Sequence, residues 1–301
     1  MSLKTVSLPS NYNYIACFLT LDCNIRCDYC INSHNSERRP LRQTISGDKW
    51  VAGLNRIDCL ADIPITFQGG EPSLHPDFIR IIKNIRKDLN IDILTNLTFD
   101  IDVFIKEIDP RRLSRGASYP NIRVSYHPGY MDLTLLMKKI LKMQDAGFSV
   151  GVYGILHPRI KNEVLLAQDI CLKANIDFRV KEFLGRYDNK LYGTYLYPEA
   201  IGNQRRKSCL CRTTELIIGP NADVFRCHHD LYKSFAATGN LLDPEIAISN
   251  NFRECVEFGD CNPCDIKIKT NRFQVFGHTS VEIKDIAEEK VRVYPKSSIR
   301  G

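Results

Sequence analysis

No stretch of the 301-residue chain approaches the roughly 20 consecutive apolar residues that a membrane-spanning helix needs. An integral helical membrane protein is therefore excluded. The first ten residues, Met1 to Ser10, lack the apolar core of a secretory signal, so the expected location is the cytoplasm. No internal repeat and no low-complexity segment is visible. Neither sign of charge dominates: 41 basic against 35 acidic side chains leave 41 − 35 = +6, which permits an anionic substrate but is too weak to argue for RNA. The short basic clusters at Arg38-Arg39, Arg111-Arg112 with Arg115, and Arg205-Arg206-Lys207 read as solvated loop charges. A content of 44% hydrophobic and 25% charged residues excludes disorder as the dominant state.

Cysteine, in contrast, is abundant: there are twelve. In a cytosolic chain of this length these are not expected to be disulfides, and their grouping matters more than their number. Cys17, Cys59 and Cys171 are isolated in apolar or helical patterns and read as small core residues. Cys23, Cys27 and Cys30 stand together in one loop. Cys209, Cys211, Cys227, Cys255, Cys261 and Cys264 fall in the last third.

Between residues 14 and 184 short β-branched or aromatic runs alternate with longer amphipathic ones. The runs Tyr14–Thr20, Ile63–Phe67, Ile91–Thr95, Ile122–Tyr126, Ser149–Leu156 and Ile176–Phe183 read as buried strands. Helices are expected near 47–58, 76–89, 100–109, 131–146 and 161–174, with Leu135, Leu136, Ile140 and Met143 on one apolar face of the fourth. This alternation predicts an α/β fold with a parallel sheet, closed only as far as a partial (β/α)6 barrel. The expected organisation is an N-terminal extension at 1–13, the barrel at 14–184, and a tyrosine-rich linker or lid at 185–208. A small cysteine-rich β-hairpin/α domain follows at 209–270, then a tail at 271–301 without strong pattern. The hairpin strands are Glu215–Ile218 and Asp223–Arg226, with Pro220-Asn221 in the turn.

Three cysteines spaced by three and then two residues, just after the first strand, can wrap one corner of a metal cluster. Thiolates select zinc or iron–sulfur, and a closed site wants four ligands. Three protein ligands leave one position open to a small molecule. The run Cys23-Asn24-Ile25-Arg26-Cys27-Asp28-Tyr29-Cys30 resembles the motif of the radical S-adenosylmethionine enzyme superfamily. The resemblance implies a [4Fe-4S] cluster on Cys23, Cys27 and Cys30, whose open iron is chelated by S-adenosylmethionine. It implies reductive cleavage of that cofactor to a 5′-deoxyadenosyl radical, which abstracts a substrate hydrogen. It also implies a low-potential electron donor such as flavodoxin or ferredoxin. The implied substrate is a small metabolite, such as a sugar or aminocyclitol, or a peptide.

Further segments extend the resemblance. Gly69-Gly70-Glu71-Pro72 matches the segment that holds the methionine amino group, Asn96 lies in a Thr-Asn-Gly-like segment whose glycine is Leu97, and Ser125 matches a ribose-contacting position. Tyr29 is expected at the adenine. His127, His157 and Lys181 lie at or beyond strand ends, where α/β active sites gather, and are candidate catalytic residues. Arg179 shares the Lys181 face of strand six.

The second cysteine group flanks the hairpin and closes on Cys261-Asn262-Pro263-Cys264, which zinc and iron–sulfur both accept; the neighbouring His228-His229 favours zinc. By resemblance to the twitch form of SPASM-like auxiliary domains, Cys211, Cys227, Cys261 and Cys264 hold a second [4Fe-4S] cluster. Cys209 is the alternative to Cys211, Cys255 is a spare thiol or an additional ligand, and Ala222 replaces the usual turn glycine. Two other function classes compete: an electron-transfer iron–sulfur protein, and a zinc-dependent nucleic-acid-binding protein.

Overall fold

Six parallel strands follow one another in both sequence and space in the computed structural model, which describes residues 4–33, 44–58, 63–202, 207–235, 237–269 and 277–285. They are β1 (Tyr14–Phe18), β2 (Ile65–Gln68), β3 (Ile91–Thr95), β4 (Ile122–Tyr126), β5 (Val150–Leu156) and β6 (Phe178–Glu182). Helices α1 (Gly47–Leu54), α2 (Phe78–Asn84), α3 (Ile101–Glu107), α4 (Leu133–Asp145) and α5 (Lys161–Lys173) alternate with them. This is the expected α/β architecture. The helices are shorter than their patterns, and at α3 and α4 local chemistry fixes the later start. The Asp100 carboxylate accepts from the Asp102 and Val103 amides at the head of α3, and Asp132 accepts from the Leu135 amide at the head of α4.

β1 shows how the core is divided. All five residues are buried, and they alternate between two clusters. Ile15 and Cys17 face the main core with Trp50, Phe67 and Ile93, whereas Tyr14, Ala16 and Phe18 face a second cluster with Ile217, Phe225 and Tyr232. On α4, Leu136, Ile140 and Met143 are buried as expected, but Leu135 is 57% exposed. One helical step rotates it about 100° away from the stripe formed by the other three. Cys17 and Cys171 are core residues; Cys59 lies outside the described residues.

Beyond β6 the chain forms a short hairpin, β7 (Gly185–Tyr187) with β8 (Lys190–Tyr192), within the expected linker. Strand β9 (Lys207–Thr213) comes next, then the expected hairpin of β10 (Glu215–Ile218) and β11 (Asp223–Phe225). That hairpin continues the barrel sheet: β10 pairs in parallel with β1, Ile217 opposite Ala16. Helix α6 (His228–Lys233) and β12 (Gly239–Asn240) follow, and β12 pairs with β11 to complete a nine-stranded sheet. Strand β13 (Arg253–Phe258), helix α7 (Pro263–Ile266) and strand β14 (Val281–Asp285) complete the fold. β13 and β14 flank β9 in a separate three-stranded sheet, so part of the patternless tail is ordered. Its pairing partner lies about 70 residues earlier, where no local periodicity reveals it. No helix among the described residues is long and apolar enough to cross a membrane.

Two of the arginines read as solvated are structural. Arg112 donates to the carbonyls of Ile82, Ile85, Arg86 and Leu89. Arg115 is nearly buried and, with Arg123, pairs with the fully buried Asp92, which also accepts from Tyr119 and Asn121. Only Arg111 of that cluster is solvated, at 89% side-chain exposure. Arg38, Arg39, Arg205 and Arg206 lie outside the described residues.

Removing one side of a buried ion pair strands the other charge at a cost of about 3–5 kcal/mol. Asp92→Asn is accordingly expected to destabilise the protein by that amount, measured by urea unfolding at neutral pH. A loss below about 1 kcal/mol would show that water reaches the two guanidinium groups.

Candidate functional site

The carboxyl ends of the parallel strands open onto one cavity of about 510 Å³. The loop after β1 carries Cys23, Cys27, Tyr29 and Cys30 to its rim, and all four line it. The thiols differ in exposure: Cys23 is exposed, Cys30 half-buried and Cys27 buried. Burial, and then the neighbouring Cys30 and Cys23, push the Cys27 thiol up to about 12, while Cys23 is raised mainly by burial. Protons must therefore leave when these sulfurs take a metal, as thiolate ligation requires.

The loop after β2 packs directly against the cysteine loop. The Gly70 amide donates to the Thr20 carbonyl (3.2 Å) and the Glu71 amide to the Asp22 carbonyl (2.6 Å). A Cβ on Gly70 would sit 1.7 Å from the Asp22 carbonyl oxygen, and one on Gly69, whose φ is +135°, would sit 2.4 Å from that of Thr20. Both glycines are thus required by the protein's own backbone, in addition to any ligand that approaches them. Asn32 donates to the Gly69 carbonyl and accepts from the Tyr232 hydroxyl (2.7 Å) on α6.

Glu71 is buried beneath this contact. Its carboxylate accepts from the Ser73 amide and hydroxyl, the Thr95 hydroxyl and the Asn96 amide. Burial raises its affinity for a proton, and those four bonds oppose the shift. Asn96 in turn donates to Asn24 Oδ1 (2.7 Å) and approaches Cys23 Sγ (3.9 Å), tying the end of β3 to the cysteine loop. Leu97, where a glycine is expected, takes a left-handed φ of 56° and is buried. The Thr95 hydroxyl holds that turn by accepting from the Leu97 amide (2.9 Å).

Ser125, His127 and Lys181 also line the cavity. His157 does not: its ring stacks against Tyr29 (5.2 Å between centroids) and meets Phe183 edge-on (4.4 Å). Tyr29 Oη and His127 Nδ1 are hydrogen-bonded at 3.1 Å. Arg179 shares a strand with Lys181 but pairs with Asp177 at the other end of β6 and does not line the cavity. The sequence reading missed Asn32, Tyr232, Lys267 and Lys269, which line the same cavity. Tyr232 lies one helical turn after His228 on α6, the only local hint of its position. Lys269 is fully buried against Glu215 and donates to Asn13 as well.

The second cysteine group is split. Cys209, Cys211 and Cys255 bring their sulfurs within 4.8 Å of one another. Cys227 and Cys261 join Cys211 and Cys255 around a smaller cavity of about 70 Å³, whereas Cys264 lines the barrel cavity. The Cys227 sulfur caps α6, accepting from the Asp230 amide (3.5 Å). His228 Nδ1 is held by Asp265 (2.9 Å), and His229 Nε2 lies 3.5 Å from the Glu257 carboxylate. Ala222 adopts a left-handed φ of 63° in the hairpin turn, the conformation for which a glycine is usual.

Residues 18–158, just under half of the chain, match the Radical SAM superfamily. It is 25% identical over 179 residues to a GTP 3′,8-cyclase of Sulfurovum sp. (strain NBC37-1), covering 57% of this chain and 55% of that protein. It is 29% identical over 82 residues to the PqqA peptide cyclase of Gluconobacter oxydans (strain 621H), covering 27% of this chain and 22% of the relative. The chain thus spans about half the length of the first relative and less than a quarter of the second. In fold it is similar to histidine-tagged anSMEcpe with bound AdoMet (TM-score 0.53, 11% identity, 77% of this chain and 78% of that one). It is also similar to Streptococcus suis SuiB bound to S-adenosylmethionine (TM-score 0.51, 12% identity, 79% and 65%).

Burial pushes the His127 imidazole down to about 4 from 6.5. Between those values the unfolded chain binds more protons than the folded one, so this residue's contribution to stability is lost as pH falls from 6.5 towards 4. His127→Gln is expected to flatten the dependence of unfolding free energy on pH in that window by up to one proton. Urea titrations at several pH values measure it; parallel curves for both proteins would place the His127 ring in contact with water.

Proposed function

We propose that the chain is a radical S-adenosylmethionine enzyme. The observation that carries this reading is that Cys23, Cys27 and Cys30, the Gly69-Gly70-Glu71 backbone, Asn96 and Ser125 all line one cavity at the strand ends. The donor set fits the group: three thiols on one loop would hold a four-iron cluster and leave a position for S-adenosylmethionine. When bound, the cluster supplies the electron that cleaves the sulfonium and so gives the 5′-deoxyadenosyl radical.

The protein's own share is binding, orientation and exclusion of water. In this reading Gly69 and Gly70 present bare backbone to the methionine end, Ser125 offers a hydroxyl to the ribose, and Tyr29 borders the adenine. The Tyr29–His127–His157 stack would keep that wall rigid and the imidazoles neutral at pH 7, since burial lowers both. Lys181 and Lys267 line the same cavity and would meet the substrate there. The substrate is proposed to be a small anionic metabolite or a peptide; proteins named as a GTP cyclase and a peptide cyclase are among the relatives. The electron donor would be a flavodoxin or ferredoxin, and the C-terminal cysteines would hold a second iron–sulfur cluster.

The test is anaerobic reconstitution followed by incubation with S-adenosylmethionine and dithionite. The intact chain should release 5′-deoxyadenosine. Replacement of Cys23, Cys27 and Cys30 by alanine should remove about four iron atoms per chain and abolish that release. Clusters without any cofactor cleavage in the intact chain would instead identify an electron carrier.

A further inference from the structure

The family resemblance distributes the auxiliary ligands as one cysteine before the hairpin, one after it, and a Cys-x-x-Cys pair. The structure groups the thiols differently. Cys209 and Cys211 are two residues apart on β9 and share one face of the strand. Cys255 on β13 is the direct register partner of Cys209. The Cys209 and Cys211 sulfurs are 3.4 Å apart, and all three lie within 4.8 Å of one another. Cys261 is buried in the same apolar cluster, which Cys227 and Cys255 also pack against. Cys264 lines the barrel cavity together with Cys30 and Tyr232.

We propose that the auxiliary metal centre is anchored by Cys209, Cys211 and Cys255, with a fourth ligand from Cys227 or Cys261, which border the same small cavity, and that Cys264 is not a ligand. This rests on the reading that the second cysteine group holds a metal. Three thiolates this close repel one another unless a cation lies between them, so the grouping suits a thiophilic metal. A tetrahedral ion with metal–sulfur bonds of about 2.3 Å sets its ligands about 3.8 Å apart, so zinc(II) fits the trio as it stands. An iron–sulfur cluster would spread the same sulfurs further. Thiolate ligation is common to both, and metal analysis separates them.

The experiment uses the full chain in which Cys23, Cys27 and Cys30 are alanine, so that all remaining metal belongs to the second site. Iron, sulfide and zinc per chain are measured after anaerobic purification and reconstitution. About four iron atoms, or one zinc, are expected. Adding Cys255→Ser should remove at least half of that metal, whereas adding Cys264→Ser should leave it unchanged. The reverse pattern overturns the ligand set and restores the Cys-x-x-Cys pair. Zinc in place of iron supports the ligand set and overturns the iron–sulfur reading. No metal in the parent variant overturns both.

Alkylation with iodoacetamide, mapped by mass spectrometry, guards against a Cys255→Ser variant that fails to fold. In the metal-loaded parent Cys255 should be protected, and stripping with EDTA and ferricyanide should expose it at least fivefold. Equal labelling of Cys255 in both states overturns the proposal.

Discussion

The carbonyl of Asp22 occupies the space that a side chain on Gly70 would need, and the rest of the site depends on that contact. It presses the main chain of the cysteine loop onto the end of β2, where the Gly70 and Glu71 amides pin it through two backbone hydrogen bonds. Glu71 then ties β2 to β3, and Asn96 ties β3 back to the cysteine loop through Asn24. The circuit holds the cysteine loop by uncharged and single-carboxylate contacts and meets a thiol at Cys23, whose sulfur lies 3.9 Å from the Asn96 side-chain nitrogen. A substitution such as Gly70→Val therefore disturbs the root of the cysteine loop as well as the floor under a ligand. It is not a clean probe of cofactor affinity.

A second circuit joins the C-terminal third to the barrel. Strand β10 lies against β1, Lys269 and Glu215 form a fully buried ion pair, and Tyr232 reaches Asn32 in the cysteine loop. The region around the second cysteine group is thus bonded to the first loop rather than suspended beside it. The same ion pair bears on the cavity's electrostatics. Of the basic residues lining it, Lys269 is neutralised by Glu215, and Arg123 is compensated in part by Asp92, which it shares with Arg115. The cavity's pull on an anion is weaker than its lysine and arginine content suggests.

What could be read from the sequence follows from how local its cause is. The β3 and β4 boundaries coincide with their runs: β3 is buried along most of its length, and β4 buries Ile122, Val124 and Tyr126 in strict alternation, so each is marked by its own composition and period. Gly69, Gly70, Glu71, Asn96 and Ser125 are legible because each sits at a strand end in a recognisable segment, whereas Asn32 carries no such mark. Leu97 and Ala222, by contrast, stand in left-handed turns that favour glycine, held by long-range partners: Lys139 donates to the Leu97 carbonyl, and the Ala222 carbonyl accepts from Leu241. Arg115 read as a loop charge because its partner, Asp92, lies 23 residues earlier on β3. Cys255 reads from sequence as either a spare thiol or an additional ligand, because the cross-strand register that brings it to Cys209 depends on the pairing of β9 with β13, which no short motif announces.

Glu71 shows most clearly how the structure refines a motif. The sequence suggests a carboxylate that meets the ammonium end of a ligand. A carboxylate offers about four lone-pair sites, two on each oxygen. The Ser73 amide and hydroxyl and the Thr95 hydroxyl converge on Oε1, while the Asn96 amide bonds to Oε2, which keeps accepting capacity. Beside that oxygen and the field of a buried negative charge, Glu71 offers a ligand the backbone that it holds in place. Part of its influence on bound S-adenosylmethionine would then be exerted through position: it fixes the ends of β2 and β3 and, through Asn96, the loop that carries Cys23. A glutamine at 71 would keep the volume but replace one accepting oxygen with a donor, facing either Ser73 and Thr95 or Asn96. The loop geometry would then suffer together with the charge.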